Sequence, residues 1–190
     1  MIQALIFLLD TFAQLYLLIL LLRFWLPLVR ANFRNPVAQG ILKYTSPLVV
    51  PVRRYIPSVG RLDTATVLVA FAIQFVVSLL IRMLGHGLDA LGILASATGL
   101  LSMVAASFIN LAILSVVMFI AAIVIRVILN LVGRYFGPLS DLLTDMTEPL
   151  LQPIRKYIPP LGMIDLSAYI AIVLLIALNM VLTDLLPAIR

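Results

Sequence analysis

Thr45-Ser-Pro-Leu-Val-Val-Pro-Val-Arg-Arg-Tyr-Ile-Pro-Ser-Val-Gly-Arg-Leu-Asp63 returns 102 residues later as Thr147-Glu-Pro-Leu-Leu-Gln-Pro-Ile-Arg-Lys-Tyr-Ile-Pro-Pro-Leu-Gly-Met-Ile-Asp165. Ten of the nineteen positions are identical without a gap, and Arg54 is replaced by Lys156 with its charge kept. Asn35-Pro36 falls on Gly137-Pro138 at the same offset, and Arg23 falls on Arg126 with a slip of one residue. This is a duplication, so the chain divides into a first repeat over 1–87, a linker over 88–102 and a second repeat over 103–190.

What surrounds the duplicated stretches is overwhelmingly apolar. Of the 190 residues 64% are hydrophobic and 11% charged, and the mean hydropathy is +1.20. Soluble domains run at about 45–50% apolar and about 25% charged. Too little polar surface remains to cover a soluble globule, which excludes a cytosolic enzyme and a disordered tail. Four runs are long enough to span a bilayer: Ile2 to Leu22, Thr64 to Leu84, Met103 to Ile125 and Leu166 to Leu186. Each holds the ~20 residues that a ~30 Å hydrocarbon core requires. Leu88–Ser102 is punctuated by Gly92 and Gly99 and reads as a linker with a short interfacial helix; a fifth span is the alternative. The apolar start at Met1 lacks a basic leader and reads as a retained first helix.

With two spans per repeat, both halves cross the membrane in the same sense, related by an axis along its normal. The motif loops then share one face and the termini the other. Lys and Arg decide which is which. The loops carry Arg30, Arg34, Lys43, Arg53, Arg54, Arg61, Arg134, Arg155 and Lys156, and the opposite side only Arg82 and Arg190. This asymmetry makes the motif loops cytoplasmic and both termini external. It also accounts for the net charge of +5 without nucleic acid. The expected fold is an all-α membrane protein of four transmembrane helices in two parallel repeats, each with a cytoplasmic Pro-rich interfacial helical segment.

The motif describes backbone geometry more than chemistry. Pro47, Pro51 and Pro57, with Pro149, Pro153 and Pro159 in the second copy, restrict helices to short pieces, since each removes a donor and clashes one turn back. Asn35 followed by Pro36 suits an N-cap and the first helical position, so Pro36–Thr45 is expected as a short interfacial helix. Tyr55 and Tyr157 are repeated within the motif, Gly60 and Gly162 permit a tight turn, and Asp63 and Asp165 stand where the next helix starts and suit its cap. Arg53, Arg54, Arg155 and Lys156 are candidates for contact with anionic phospholipid, at about 1 kcal/mol per basic residue.

The duplicated motif, together with Leu15-Tyr-Leu-Leu-Ile-Leu-Leu-Leu-Arg-Phe-Trp25, resembles the YggT family of bacterial inner-membrane proteins, called YlmG in Gram-positive bacteria and plastids. The family's first helix ends in Leu-Leu-Arg-x-Trp. The second copy departs from this, with Ile125-Arg126-Val127-Ile128, so any role needing the tryptophan belongs to Trp25 alone. The resemblance covers nearly the whole chain, in the two-copy arrangement of the proteobacterial members. It implies a multi-pass protein of the inner membrane with no established enzymatic activity; in that membrane the external termini read from the Lys and Arg distribution are periplasmic. It also implies loose links to osmotic-stress tolerance, ion homeostasis and division-related membrane organisation.

No catalytic constellation stands in the sequence. With no cysteine and one histidine, thiolate–metal and His-based centres are excluded or improbable, and no cofactor is expected. His86 and Asp89 read as a surface pair. The polar residues inside or at the ends of the spans are Asp10, Gln14, Arg23, Gln74, Asn110, Arg126 and Asn179. Hydrogen bonds between helices and interfacial anchoring by Arg23 and Arg126, snorkelling to phosphates, are the first reading. An ion or solute path lined by Asp10, Gln14, Asn110 and Asn179 is the second. Ala105-Ala106-Ser107 and Ala121-Ala122 permit close helix approach, within one chain first and in a homo-oligomer second. The expected function is non-enzymatic: an organising or scaffolding protein whose basic loops bind anionic lipid and an unknown membrane or cytoplasmic protein. The alternative is a channel or transporter component affecting cation balance under osmotic stress.

Overall fold

The computed structural model describes residues 2–58, 60–86, 96–131, 137–157 and 165–189. These form six helices and no strand: α1 (Ile2–Leu28), α2 (Pro36–Arg53), α3 (Thr64–His86), α4 (Ala97–Leu131), α5 (Pro138–Tyr157) and α6 (Leu166–Ile189). Four are long and apolar enough to cross a membrane, over Ile2–Leu28, Thr64–Gly85, Ala97–Asn130 and Leu166–Leu186. Large apolar side chains such as Phe7, Phe12 and Leu174 stand exposed along them, as lipid-facing surfaces require. The fold is the expected all-α one.

α4 differs from its expected length. It begins at Ala97 rather than Met103 and runs for 35 residues. Its first turn is closed at Ser96, whose carbonyl accepts from Leu100 N and whose hydroxyl accepts from Gly99 N. At about 1.5 Å per residue the helix is roughly 52 Å long, well beyond a ~30 Å core. A helix of that length fits a bilayer only by tilting or by projecting beyond the hydrocarbon core. Ala97–Ser102 thus belongs to the third long helix; the rest of the expected linker, with Asp89, lies outside the described residues, as do Pro159 and Gly162.

The prolines do not cut α2 and α5 into short pieces. α2 runs unbroken for 18 residues through Pro47 and Pro51, and α5 for 20 through Pro149 and Pro153. The reason is where the prolines sit. The buried residues of α2 are Ala38, Ile41, Thr45 and Val49, three or four apart, while both prolines occupy its exposed face. A missing hydrogen bond there leaves a carbonyl that water or headgroups can satisfy. Asn35 caps α2 as expected, its Oδ1 accepting from Val37 N at 2.8 Å.

α1 packs mainly on α3, and α4 mainly on α6; α3 on α4 joins the two pairs. Three apolar clusters hold the bundle. Leu17, Leu20, Val49, Ala65 and Val69 knit the first half, with Leu111 of α4 packed against them, and Ile123, Leu151, Ala168 and Ala171 knit the second. Between them Leu21, Leu26, Ile41, Phe119, Leu142 and Met146 bring α1, α2, α4 and α5 together. Both amphipathic helices therefore lie at the same end of the bundle and touch. Asn35 Nδ2 donates to Pro138 O, and Asn32 N to Asp145 Oδ2 at 3.0 Å.

Candidate functional site

At that end each half ties three helices together through an arginine pair. In the first half Arg23, near the end of α1, turns into the protein and is 4% exposed. Its Nη1 donates to Thr45 Oγ1 at 2.8 Å, and to Leu42 O and Ser46 Oγ at 3.3 Å each, all on α2. Its Nε lies 3.6 Å from Asp63 Oδ2, and Arg53 Nη2 donates to the same oxygen. Asp63 also caps α3, accepting from Thr66 Oγ1 at 2.7 Å and Thr66 N at 3.3 Å.

The second half repeats this pattern with one addition. Arg126 Nη1 donates to Thr147 Oγ1 at 2.7 Å, and Arg155 Nη2 to Asp165 Oδ2. Asp165 Oδ1 accepts from Ser167 N at 3.1 Å at the start of α6. The addition is Glu148, whose carboxylate bridges Arg126 Nη2 at 2.8 Å and Arg155 Nη1 at 3.0 Å. In both halves the threonine hydroxyl donates its hydrogen bond to a carbonyl one turn back, Ile41 or Leu143, so its lone pairs face the guanidinium.

The electrostatics follow from this wiring. Burial works to raise the Asp63 carboxyl, but the Thr66 hydroxyl, Arg53, the Thr66 amide and Arg23 together outweigh it and hold Asp63 below the usual carboxylate range. For Asp165, burial is likewise outweighed by the Ser167 hydroxyl and Arg155. The hydrogen bond to Asp165 raises Arg155 in return, against the effect of its burial. Each cluster is an ionised latch between the end of one spanning helix, an amphipathic helix and the start of the next span.

The expected site residues are thus divided. Arg53 and Arg155 hold aspartates of their own chain, while Arg54 and Lys156 are exposed on the same segments. Arg23 and Arg126 do not snorkel outward: a threonine and a carboxylate within reach draw both guanidiniums into the protein. Tyr55 is 87% exposed. Gly60 has φ +60°, the left-handed turn that glycine tolerates. Thr45, Thr66, Thr147, Glu148 and Ser167 carry no role that the sequence alone assigns. The identity of Thr45 and Thr147 across the repeat is the signal that points to two of them.

The other polar residues are not brought together. Gln14 Nε2 donates to Asp10 Oδ2 at 2.8 Å on the exposed side of α1. Gln74 bonds Ser78, and Thr183 bonds Asn179, each within its own helix. The expected bonds between spans are therefore mostly bonds along a span, which a lone polar side chain in an apolar helix finds at the lowest cost. The described exception is Trp25, whose Nε1 donates to Ser115 Oγ at 3.4 Å on α4 while its ring meets Phe119 edge-on at 4.9 Å. An apolar cleft of about 130 Å³ between α1, α3 and α4 is lined by Leu21, Phe24, Val67, Ala70, Phe108 and Leu111, among others, with no ionisable group on its walls. Among the described residues no three His, Asp or Glu side chains converge as a metal site requires.

Four apolar spanning helices, with two amphipathic helices latched beneath them, define a multi-pass helical membrane protein. The comparisons with known proteins name the group. The CCB3/YggT family profile matches residues 2–84 and 100–186, and the chain belongs to that family. It is 34% identical over 186 residues to the uncharacterized protein YggT of Escherichia coli, covering 98% of this chain and 93% of that one. It is 40% identical over 188 residues to an uncharacterized Pseudomonas aeruginosa protein, covering 97% and 91%. With an uncharacterized protein of Vibrio alginolyticus it shares 35% over 187 residues, covering 94% and 93%. No solved structure matches the chain.

Proposed function

We propose that this chain is a non-enzymatic organising protein of the bacterial inner membrane, with its two amphipathic helices on the cytoplasmic lipid surface, where they bind anionic phospholipid and dock a partner protein. The observation that carries this reading is the meeting of α2 and α5 at one end of the bundle, each ending in exposed basic residues. A long amphipathic helix with an apolar face packed on the spans has its polar face free for headgroups. The bias of Lys and Arg toward these segments supports the cytoplasmic side. The family resemblance supports a role in osmotic-stress tolerance or in division-related membrane organisation.

Arg54 and Lys156 are the residues to test, because Arg53 and Arg155 also hold the fold together. The protein is placed in nanodiscs, and the selectivity for spin-labelled phosphatidylglycerol over phosphatidylcholine is measured. The double variant Arg54→Gln/Lys156→Gln loses several-fold in selectivity, at about 1 kcal/mol per charge, with the loss shrinking as salt rises. Unchanged selectivity refutes the lipid contact. The transport alternative predicts ion flux in reconstituted vesicles that disappears in Asp10→Asn; the outward placement of the Asp10–Gln14 pair weighs against it.

A further inference from the structure

The two latches differ by one charge. In the second, Arg126 and Arg155 are balanced by Glu148 and Asp165. In the first, Arg23 and Arg53 share Asp63, and Ser46 stands 102 residues before Glu148, in its place. The Ser46 hydroxyl accepts from Arg23 Nη1 at 3.3 Å and donates its own hydrogen bond to Leu42 O. It offers that guanidinium a lone pair and no charge. Arg23 Nε is buried and has no hydrogen-bond partner among the described residues. A buried guanidinium that shares one carboxylate with a second arginine is only half compensated, which is costly at this depth, and the second half shows how the same arrangement is completed: an oxyanion bridging both arginines.

The corresponding point is within reach of the membrane surface. Glu148 is 40% exposed and Arg53 46% exposed, so the bridging position lies at the rim of the latch. Two guanidiniums, one buried and one at the rim, suit a tetrahedral oxyanion, whose several oxygens accept from planar donor forks. We propose that Arg23, Ser46 and Arg53 form a specific anion-binding site, filled by the phosphate group of a net-anionic phospholipid headgroup or by free phosphate in preference to a zwitterionic headgroup, at the position where the second half uses its own Glu148 carboxylate. The lipid source rests on the reading that this end of the bundle meets the headgroups; the oxyanion chemistry does not. The site is saturable, holds one anion per chain and is confined to the first half.

The test exchanges the two latches. The whole protein is placed in phosphatidylcholine nanodiscs and titrated with short-chain phosphatidylglycerol or with inorganic phosphate, reading thermal stabilisation and, by native mass spectrometry, the number of retained anionic lipids. The wild type shows one saturable site. Ser46→Glu supplies an internal carboxylate and weakens that site about tenfold or more, the equivalent of one charge-assisted hydrogen bond, while raising the thermal stability of the ligand-free protein. Glu148→Ser opens the second latch, so retention rises from one anionic lipid to two. Stabilisation by inorganic phosphate that Ser46→Glu abolishes identifies a free anion as sufficient; stabilisation by the lipid alone identifies the headgroup. Wild-type affinity in a folded Ser46→Glu protein overturns the site, and so does the absence of any gain in Glu148→Ser, which remains decisive if Ser46→Glu does not fold. The Arg54→Gln/Lys156→Gln protein separates the two proposals. If it loses diffuse lipid selectivity while Ser46→Glu changes nothing, the site is wrong and the surface reading stands; the opposite pattern keeps the site and removes the surface reading.

Discussion

Asp63 has two functions in one carboxylate: it caps α3 through Thr66 and neutralises two arginines, one of them almost fully buried. Asp165 caps α6 through Ser167 but shares Arg155 with Glu148. The two positions look equivalent in sequence and are unequal in energy. Asp63→Asn leaves Arg23 buried without its countercharge and costs about 3–5 kcal/mol, the range for breaking a buried pair. Asp165→Asn costs about 1–2 kcal/mol, since Arg155 is partly exposed and keeps Glu148. Unfolding of the two variants in the same detergent, followed by circular dichroism, measures the difference; equal losses would show that the burial of Arg23 does not decide the cost. The same wiring sets the response to acid. Both carboxyls are held below the usual range in the folded protein, so each contributes stability that is complete above its ordinary pKa of ~3.9 and is lost as pH falls through the lowered native value. The thermal midpoint is expected to be flat from neutral pH to about pH 5 and to drop below about pH 4. Asp63→Asn should flatten part of that drop.

At the scale of elements, proline is the residue that misleads and amphipathicity the property that does not. Pro47, Pro51, Pro149 and Pro153 suggest interrupted helices, because a proline removes a donor wherever it stands. Which face it stands on settles the outcome, and that depends on where the neighbouring helices lie. The three- and four-residue spacing of Ala38, Ile41, Thr45 and Val49 is already in the sequence. What α2 and α5 pack against is not. Their contact couples the halves through the N-cap of one helix: Asn35 caps α2 and also donates to Pro138, the first residue of α5. The cysteine-free background makes this contact testable. Cysteines replacing Asn32 and Asp145 should cross-link rapidly in native membranes, given that Asn32 N and Asp145 Oδ2 are 3.0 Å apart. Failure to cross-link would mean that the segment leading into α2 does not meet α5 in the bilayer.

Over the whole molecule, the four spans are legible from composition and run length alone, because hydrocarbon selects for uninterrupted apolar sequence. The start of α4 is less so: Ala97–Ser102 is apolar enough to be either linker or helix. Orientation rests on the distribution of Lys and Arg, since the packing of the helices is the same for either sense of insertion. Single cysteines at Ser58 and Ser140 lie at the end of the bundle where α2 and α5 meet. In intact cells they should resist a membrane-impermeant maleimide and react after permeabilisation. Rapid labelling from outside would place the amphipathic helices on the opposite face.

The sequence by itself determined the class of protein and pointed to four spans, with five as the alternative, in two halves of like sense, since each reading follows from composition, length and the repeated motif. Only the tertiary structure decided where the charges go. Arg23 and Asp63 are forty positions apart in the chain and meet because α1, α2 and α3 converge at one end of the bundle. A motif that reads as a basic, lipid-facing loop proves half-committed to its own carboxylates. The exchange of Ser46 for Glu148 acquires a meaning only once both are seen beside a pair of arginines. Periodicity and composition act along the chain and can be read there, whereas ion pairing depends on distances through space that packing alone sets.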